Sequence, residues 1–229
     1  MTAAYERHGA GRVLSADEAA DKRRQVRGFW HHCEPALGTP AGRYLARRGL
    51  AWLTTHEHVR YRADASHPGG GHFPAMVWLV HCGLGNIAAV HRTYLDQSGR
   101  KAAAADPVKA TLGSFAGGAI RLHPAAPEMV VAEGLETTAA AALLLGLPGW
   151  AAVACGNLGA NMALPAGVRA VTIAADPDKP GQRAAARAAR RWRAEGRTVR
   201  IATPDTPGLD FADVLQRRLA AAAREAAHG

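Results

Sequence analysis

From residue 128 onward the chain alternates short apolar runs with helix-forming stretches. MVVAEG, an Ala/Leu segment over 134–146, WAAVAC, RAVTIAAD, an Arg/Ala segment over 181–195, TVRIATP and a final segment from about Phe211 follow one another. Short strands that alternate with helices predict a parallel sheet wrapped by those helices. In such a sheet ligands bind in the crevice at the carboxyl ends of the strands. Two of the runs end in acids: Glu133 directly follows MVVA, Asp176 directly follows VTIAA, and Asp178 comes two residues later. If these strands are neighbours, three carboxylates meet at one sheet edge, repel one another and are driven to protonate. A hard divalent cation resolves that conflict, and Mg²⁺ suits a site with few protein ligands and a phosphate substrate. The same residues also suit purely local roles. ADPDKPG is rich in turn formers, Asp is a common helix N-cap, and Glu133 could be a helix-start acid favoured by the dipole.

The upstream half reads differently. Residues 1–17 are polar, small and unpatterned, as in a frayed terminus. A helix is expected from Ser15 to His32, where Ser15 and Glu18 form a capping-box pair, and a shorter one from about Pro40 to Arg48, stopped at Gly49. FPAMVWLV (73–80), IAAVHRTYL (87–95) and GAIRLHP (118–124), separated by Gly, Asp and Asn turns, read as antiparallel strands. The fold class is therefore α/β: a parallel sheet flanked by helices, preceded by a smaller α+β subdomain.

Charge separates the halves as well. The chain carries 28 Lys and Arg against 19 Asp and Glu, net +9, and residues 1–127 hold 16 basic and 9 acidic side chains of that total. That balance favours a polyanionic partner, nucleic acid before membrane. Cys33, Cys82 and Cys155 form no CxxC pair, and His31, His32, His56, His58, His67 and His72 lack partner cysteines at ligand spacing, so no zinc site is expected. His91 reads as a strand residue. The cysteine usage suits a reducing cytoplasm, and no charged n-region with an apolar h-region opens the chain. No charge occurs from Thr137 to Val168, but Pro148-Gly149 interrupt that stretch, which predicts a buried helix, a turn and a strand rather than a membrane span.

AEGLET (132–137), ADPDKPG (175–181) and PGLDFADVL (207–215) together resemble the Toprim domain of bacterial-type primases, type IA and II topoisomerases, RecR-like proteins and OLD-type nucleases. GTPAGRYLARRGL (38–50), FPAMVWLV, AAVHRTYLDQSGRKA (88–102) and VKATLGSFAGGAIRL (108–122) look like the segment that precedes Toprim in primases of phages, plasmids and other mobile elements. The resemblance implies a flexible N-terminus (1–20), a basic primase-type subdomain (21–127), a Toprim domain (128–217) and a C-terminal helical tail (218–229). It implies a general acid/base role for Glu133 and Mg²⁺ or Mn²⁺ ligation by Asp176 and Asp178, with Glu133 and Asp210 beside them. Asp213 reads more simply as a helix-start acid. Ala212 stands where the family usually has Asp or Asn, and Thr137 where replicative primases carry Asp.

Arg92, Lys101 and Lys109 are the implied contacts to nucleoside triphosphate and template. Lys179, Arg183 and Arg187 are further candidate nucleic-acid contacts; Arg183, Arg187, Arg190 and Arg191 form one helical stripe, which reads either as a nucleic-acid track or as a solvated face. The implied activity is synthesis of short RNA primers on single-stranded DNA by a core without zinc finger or helicase segment, since no GxxxxGK[ST] is present. A separate helicase or zinc-binding replication partner would then complete it. The alternatives are strand cleavage by a Toprim nuclease or topoisomerase-like protein, for which Tyr44, Tyr61 and Tyr94 have no supporting context, and a non-catalytic DNA-binding or recombination-mediator module.

Overall fold

The computed structural model describes residues 15–228; the terminus expected to be frayed lies, up to residue 14, outside the described residues. The chain divides into two compact units, the first ending at Gly118 and the second starting at Ala119.

The first unit is built on an antiparallel sheet of order β1-β2-β3-β4-β5, with β1 Glu34–Pro35, β2 Val59–Ser66, β3 His72–His81, β4 Ile87–Tyr94 and β5 Lys109–Gly113. Helix α1 (Ala16–His31) opens with the expected capping box, in which Ser15 and Glu18 each satisfy the other's backbone N–H. It packs on β4 and β5, while α2 (Pro40–Arg47) packs on β2 and β3. β3 is central and buried on both faces: Ala75, Val77 and Leu79 join Val26 of α1 in one core, and Met76, Trp78 and Val80 are buried opposite. That explains its unbroken apolar run. Arg60 and Arg62 of β2 lie over the rings of Trp30 and Phe29 and donate to the carbonyls of the same residues. These carbonyls at the end of α1 also accept from Cys33, its N–H on Trp30 O and its thiol on Phe29 O, so the arginines add a second donor to each.

The second unit holds a sheet of order β10-β9-β7-β8-β6, with β6 Ile120–Arg121, β7 Glu128–Ala132, β8 Gly149–Ala151, β9 Ala170–Ala174 and β10 Thr198–Ala202. The pairs β10–β9, β9–β7 and β7–β8 are parallel, and β6 adds antiparallel to β8 at the edge. The segment 118–124, expected among the antiparallel strands upstream, thus contributes two residues to the other sheet. β2 and β5 are strands that the sequence reading left unassigned.

Side chains alternate between the faces of β7 and β9. Met129, Val131, Val171 and Ile173 pack with Ala184, Ala185, Ala188, Ala189 and Trp192 of α4 (Lys179–Ala194). The small alanines let that helix lie close on the sheet. α3 (Leu135–Leu145) touches β7, β8 and β9 and packs with α5 (Phe211–His228). The uncharged stretch from Thr137 resolves into α3, β8 and a π-helical turn over Asn157–Asn161. Among the described residues no helix is long and apolar enough to cross a membrane.

Candidate active site

β7 and β9 are hydrogen-bonded neighbours in register, Ala132 opposite Ala174. Glu133 therefore leaves the end of β7 beside the end of β9, and Asp176 follows two residues beyond Ala174. This is the strand-end crevice in which the acids were expected to meet. Asp176 is largely buried, and its carboxyl is pushed up to about 6, first by burial and then by the charge of Glu133, with Asp210 and Asp178 adding to it. The Thr137 hydroxyl, one turn into α3, opposes the shift by donating to Asp176 Oδ1 at 3.2 Å. No basic side chain pairs with Glu133, Asp176, Asp178 or Asp210 among the described residues.

The acids also hold local structure. Asp178 is the N-cap of α4, its Oδ1 accepting from the Gly181 N–H at 2.7 Å. A Cβ on Gly181 would stand 3.0 Å from both Asp176 Cβ and Asp178 Oδ1, so a side chain there crowds the two aspartates. Asp210 and Asp213 cap the start of α5 reciprocally: the Asp213 N–H donates to Asp210 Oδ1 at 2.8 Å and the Asp210 N–H to Asp213 Oδ2 at 3.2 Å. The turn and helix-cap reading thus holds for Asp178, Asp210 and Asp213. No three His, Cys, Asp or Glu side chains among the described residues stand close enough to enclose an ion.

Glu133 has a partner the sequence did not disclose. The Cys155 thiol donates to Glu133 Oε2, and burial together with that carboxylate raises the thiol's pKa strongly. The loop after β8 is fixed to the same strand end, with the Ala152 N–H donating to Ala132 O and the Val153 N–H to Glu133 O, both at 2.9 Å. Val153 takes a φ of 74°, which is costly for a β-branched residue and stands directly beside Glu133.

The basic residues expected to bind nucleotide or nucleic acid are dispersed. Arg92 is a correction: it is 5% exposed, donates to Ser66 O at 2.6 Å and lies over the rings of Phe29 and Tyr94, so it holds the first unit's core together. Its neighbour His91 is likewise buried, with Nδ1 3.0 Å from Thr111 Oγ1. Lys101 is exposed opposite Leu95, and Lys109 opens β5 opposite Thr93. Lys179, Arg183 and Arg187 are exposed on α4.

Residues 128–221 match the Toprim domain family. Over those residues the chain carries a Toprim domain, and its fold is primase-like. Residues 20–122 match a domain of unknown function, DUF7146. Among solved structures, the DnaG catalytic core superposes with a TM-score of 0.61 at 15% identity, covering 89% of this chain and 79% of that one. A DNA primase domain from Pseudomonas aeruginosa gives 0.58 at 15% identity, covering 86% and 74%. A DnaG primase catalytic domain bound to single-stranded DNA gives 0.57 at 14% identity, covering 86% and 78%. No curated protein matches the sequence. At these identities the likeness shows the fold, and the Toprim acids take their meaning from the geometry above.

Proposed function

We propose that this Toprim protein is a primase-type nucleotidyltransferase that joins ribonucleotides into short primers on single-stranded DNA. The observation that carries the reading is the pairing of Glu133 and Asp176 at the ends of adjacent parallel strands, with Asp178 two residues on and no cation to balance them. Toprim domains generally bind divalent metal ions, and an all-oxygen carboxylate set suits Mg²⁺ or Mn²⁺. Asp176 and Asp178 would hold the ion, with Glu133 and Asp210 beside them. When bound, it neutralises the nucleotide's phosphates and the leaving pyrophosphate. Glu133 acts as the general base toward the attacking 3′-hydroxyl, and the Cys155 thiol holds its carboxylate in place. Thr137 orients Asp176. Lys101 and Lys109, in the first unit, would offer positive charge to a nucleic-acid backbone. The fold shared with a primase domain bound to single-stranded DNA supports the choice of template. A separate helicase or zinc-binding protein would open the duplex and read the template.

The test is incubation with single-stranded DNA, labelled NTPs and Mg²⁺ or Mn²⁺, beside Glu133→Gln. Metal-dependent oligoribonucleotides that the variant no longer makes are the expected result. Shortened DNA in place of primers would move the protein to the strand-cleaving Toprim enzymes. Binding with neither product, unchanged by the variant, would leave a non-catalytic DNA-binding module.

A further inference from the structure

Arginine is abundant in the second unit, and several of these side chains are spent on structure. Arg191 donates to the carbonyls of Leu158 and Met162 and pairs with Glu195. Arg193 donates to Val199 O, Arg197 to Leu164, Pro165 and Val168 carbonyls, and Arg200 to Thr172 with an ion pair to Glu128. Arg183, Arg187 and Arg190 are the contrast. All are exposed, and none makes a hydrogen bond, ion pair or ring contact among the described residues. Lys179 shares that state.

These four fall at i, i+4, i+8 and i+11, a single stripe along the outer side of the helix whose alanine face covers the sheet. No acid lies between Lys179 and Ala194 to balance them. At 1.5 Å rise per residue, successive charges stand about 4.5–6 Å apart, a spacing on which consecutive phosphates of one strand can sit. The Arg187 guanidinium lies over Gly159 of the π-helical turn, 3.2 Å from where a Cβ would stand, so the turn leaves it room to lie flat. The stripe begins at Asp178, the acid that caps the helix.

We infer that the outer face of α4 is a track for the phosphate backbone of one DNA strand, running from the Asp176–Asp178 turn along Lys179, Arg183, Arg187 and Arg190. The proposal rests on the reading of the chain as a nucleic-acid enzyme, and adds which surface holds the strand and from which end. A single row of charges follows one backbone. With Trp192 buried, the stripe presents no aromatic ring for stacking, so phosphates are read and bases are not.

The test measures binding of a fluorescent oligo(dT) across a salt series by the wild type, Arg183→Gln/Arg187→Gln/Arg190→Gln, and a charge-matched Arg217→Gln/Arg218→Gln/Arg224→Gln on exposed α5. Gln keeps helix propensity, and circular dichroism verifies the fold. At about 50 mM salt the α4 variant is expected to bind roughly tenfold or more weakly, with the slope of log Kd against log salt reduced by about 2. The α5 variant should keep wild-type binding, and Arg→Lys at the three α4 positions should restore most of it. Equal losses in both Gln variants or an unchanged slope in the α4 variant would overturn the track. The outcome is separate from primer synthesis: a protein that makes no primer can still show the α4-specific loss, and one that makes primers can fail to.

Discussion

Asp176 concentrates the conflict on which the account turns. Its folded carboxyl lies at about 6 and the unfolded one near 3.8, so between those values the folded state binds the proton more tightly. The stability this contributes is fully present below the unfolded pKa and is lost as pH rises through the folded one, a swing of about 2–3 kcal/mol after allowing for partial exposure. In EDTA, urea midpoints are therefore expected to fall from pH 4 to pH 7. Asp176→Asn should flatten that profile and be the more stable protein at pH 8, while losing activity. Thr137→Val removes the hydroxyl that opposes the shift, at a cost of about 1 kcal/mol of carboxylate stabilisation. The pH at which activity reaches half its plateau should rise, and a rate–pH profile reads it. Of these residues the acids were legible, because each closes an apolar run. Cys155 was not, since its contact with Glu133 joins loops 22 residues apart that only the β7–β8 pairing brings together.

At the scale of elements, the β9–α4 junction places a cap and a candidate metal ligand on one residue. Gly181→Ala gains roughly 1 kcal/mol of helix propensity and crowds both aspartates at the same time. The thermal midpoint should move little while the Mg²⁺ concentration needed for half-maximal activity rises severalfold. A large drop in melting temperature with unchanged metal dependence would refute that coupling. The alternating strands and helices of the second unit were legible because each element carries its own period and its own end signals. β6 was assigned to the wrong sheet because a two-residue strand has no period, and its partner β8 lies about 30 residues on. β2 went unassigned although Val59, Tyr61, Ala63 and Ala65 alternate with Arg60, Arg62 and Asp64 in the period of a strand; those arginines bond the end of α1.

For the whole molecule, net charge indicates a polyanion but does not say which basic residues meet it. Arg60, Arg62, Arg92 and Arg191 stabilise folded units, whereas the α4 stripe is unspent. The resemblance in motif, the match to the Toprim family and the likeness to primase cores agree on one architecture. Within it, the acids of two strands are expected to behave as one centre. The most direct measurement is a Mn²⁺ titration followed by electron paramagnetic resonance, with wild type, Glu133→Gln and Asp176→Asn at pH 8. Saturable binding by the wild type is expected, weakened at least tenfold by Asp176→Asn and measurably by Glu133→Gln. Equal Mn²⁺ affinity in all three proteins would contradict that expectation.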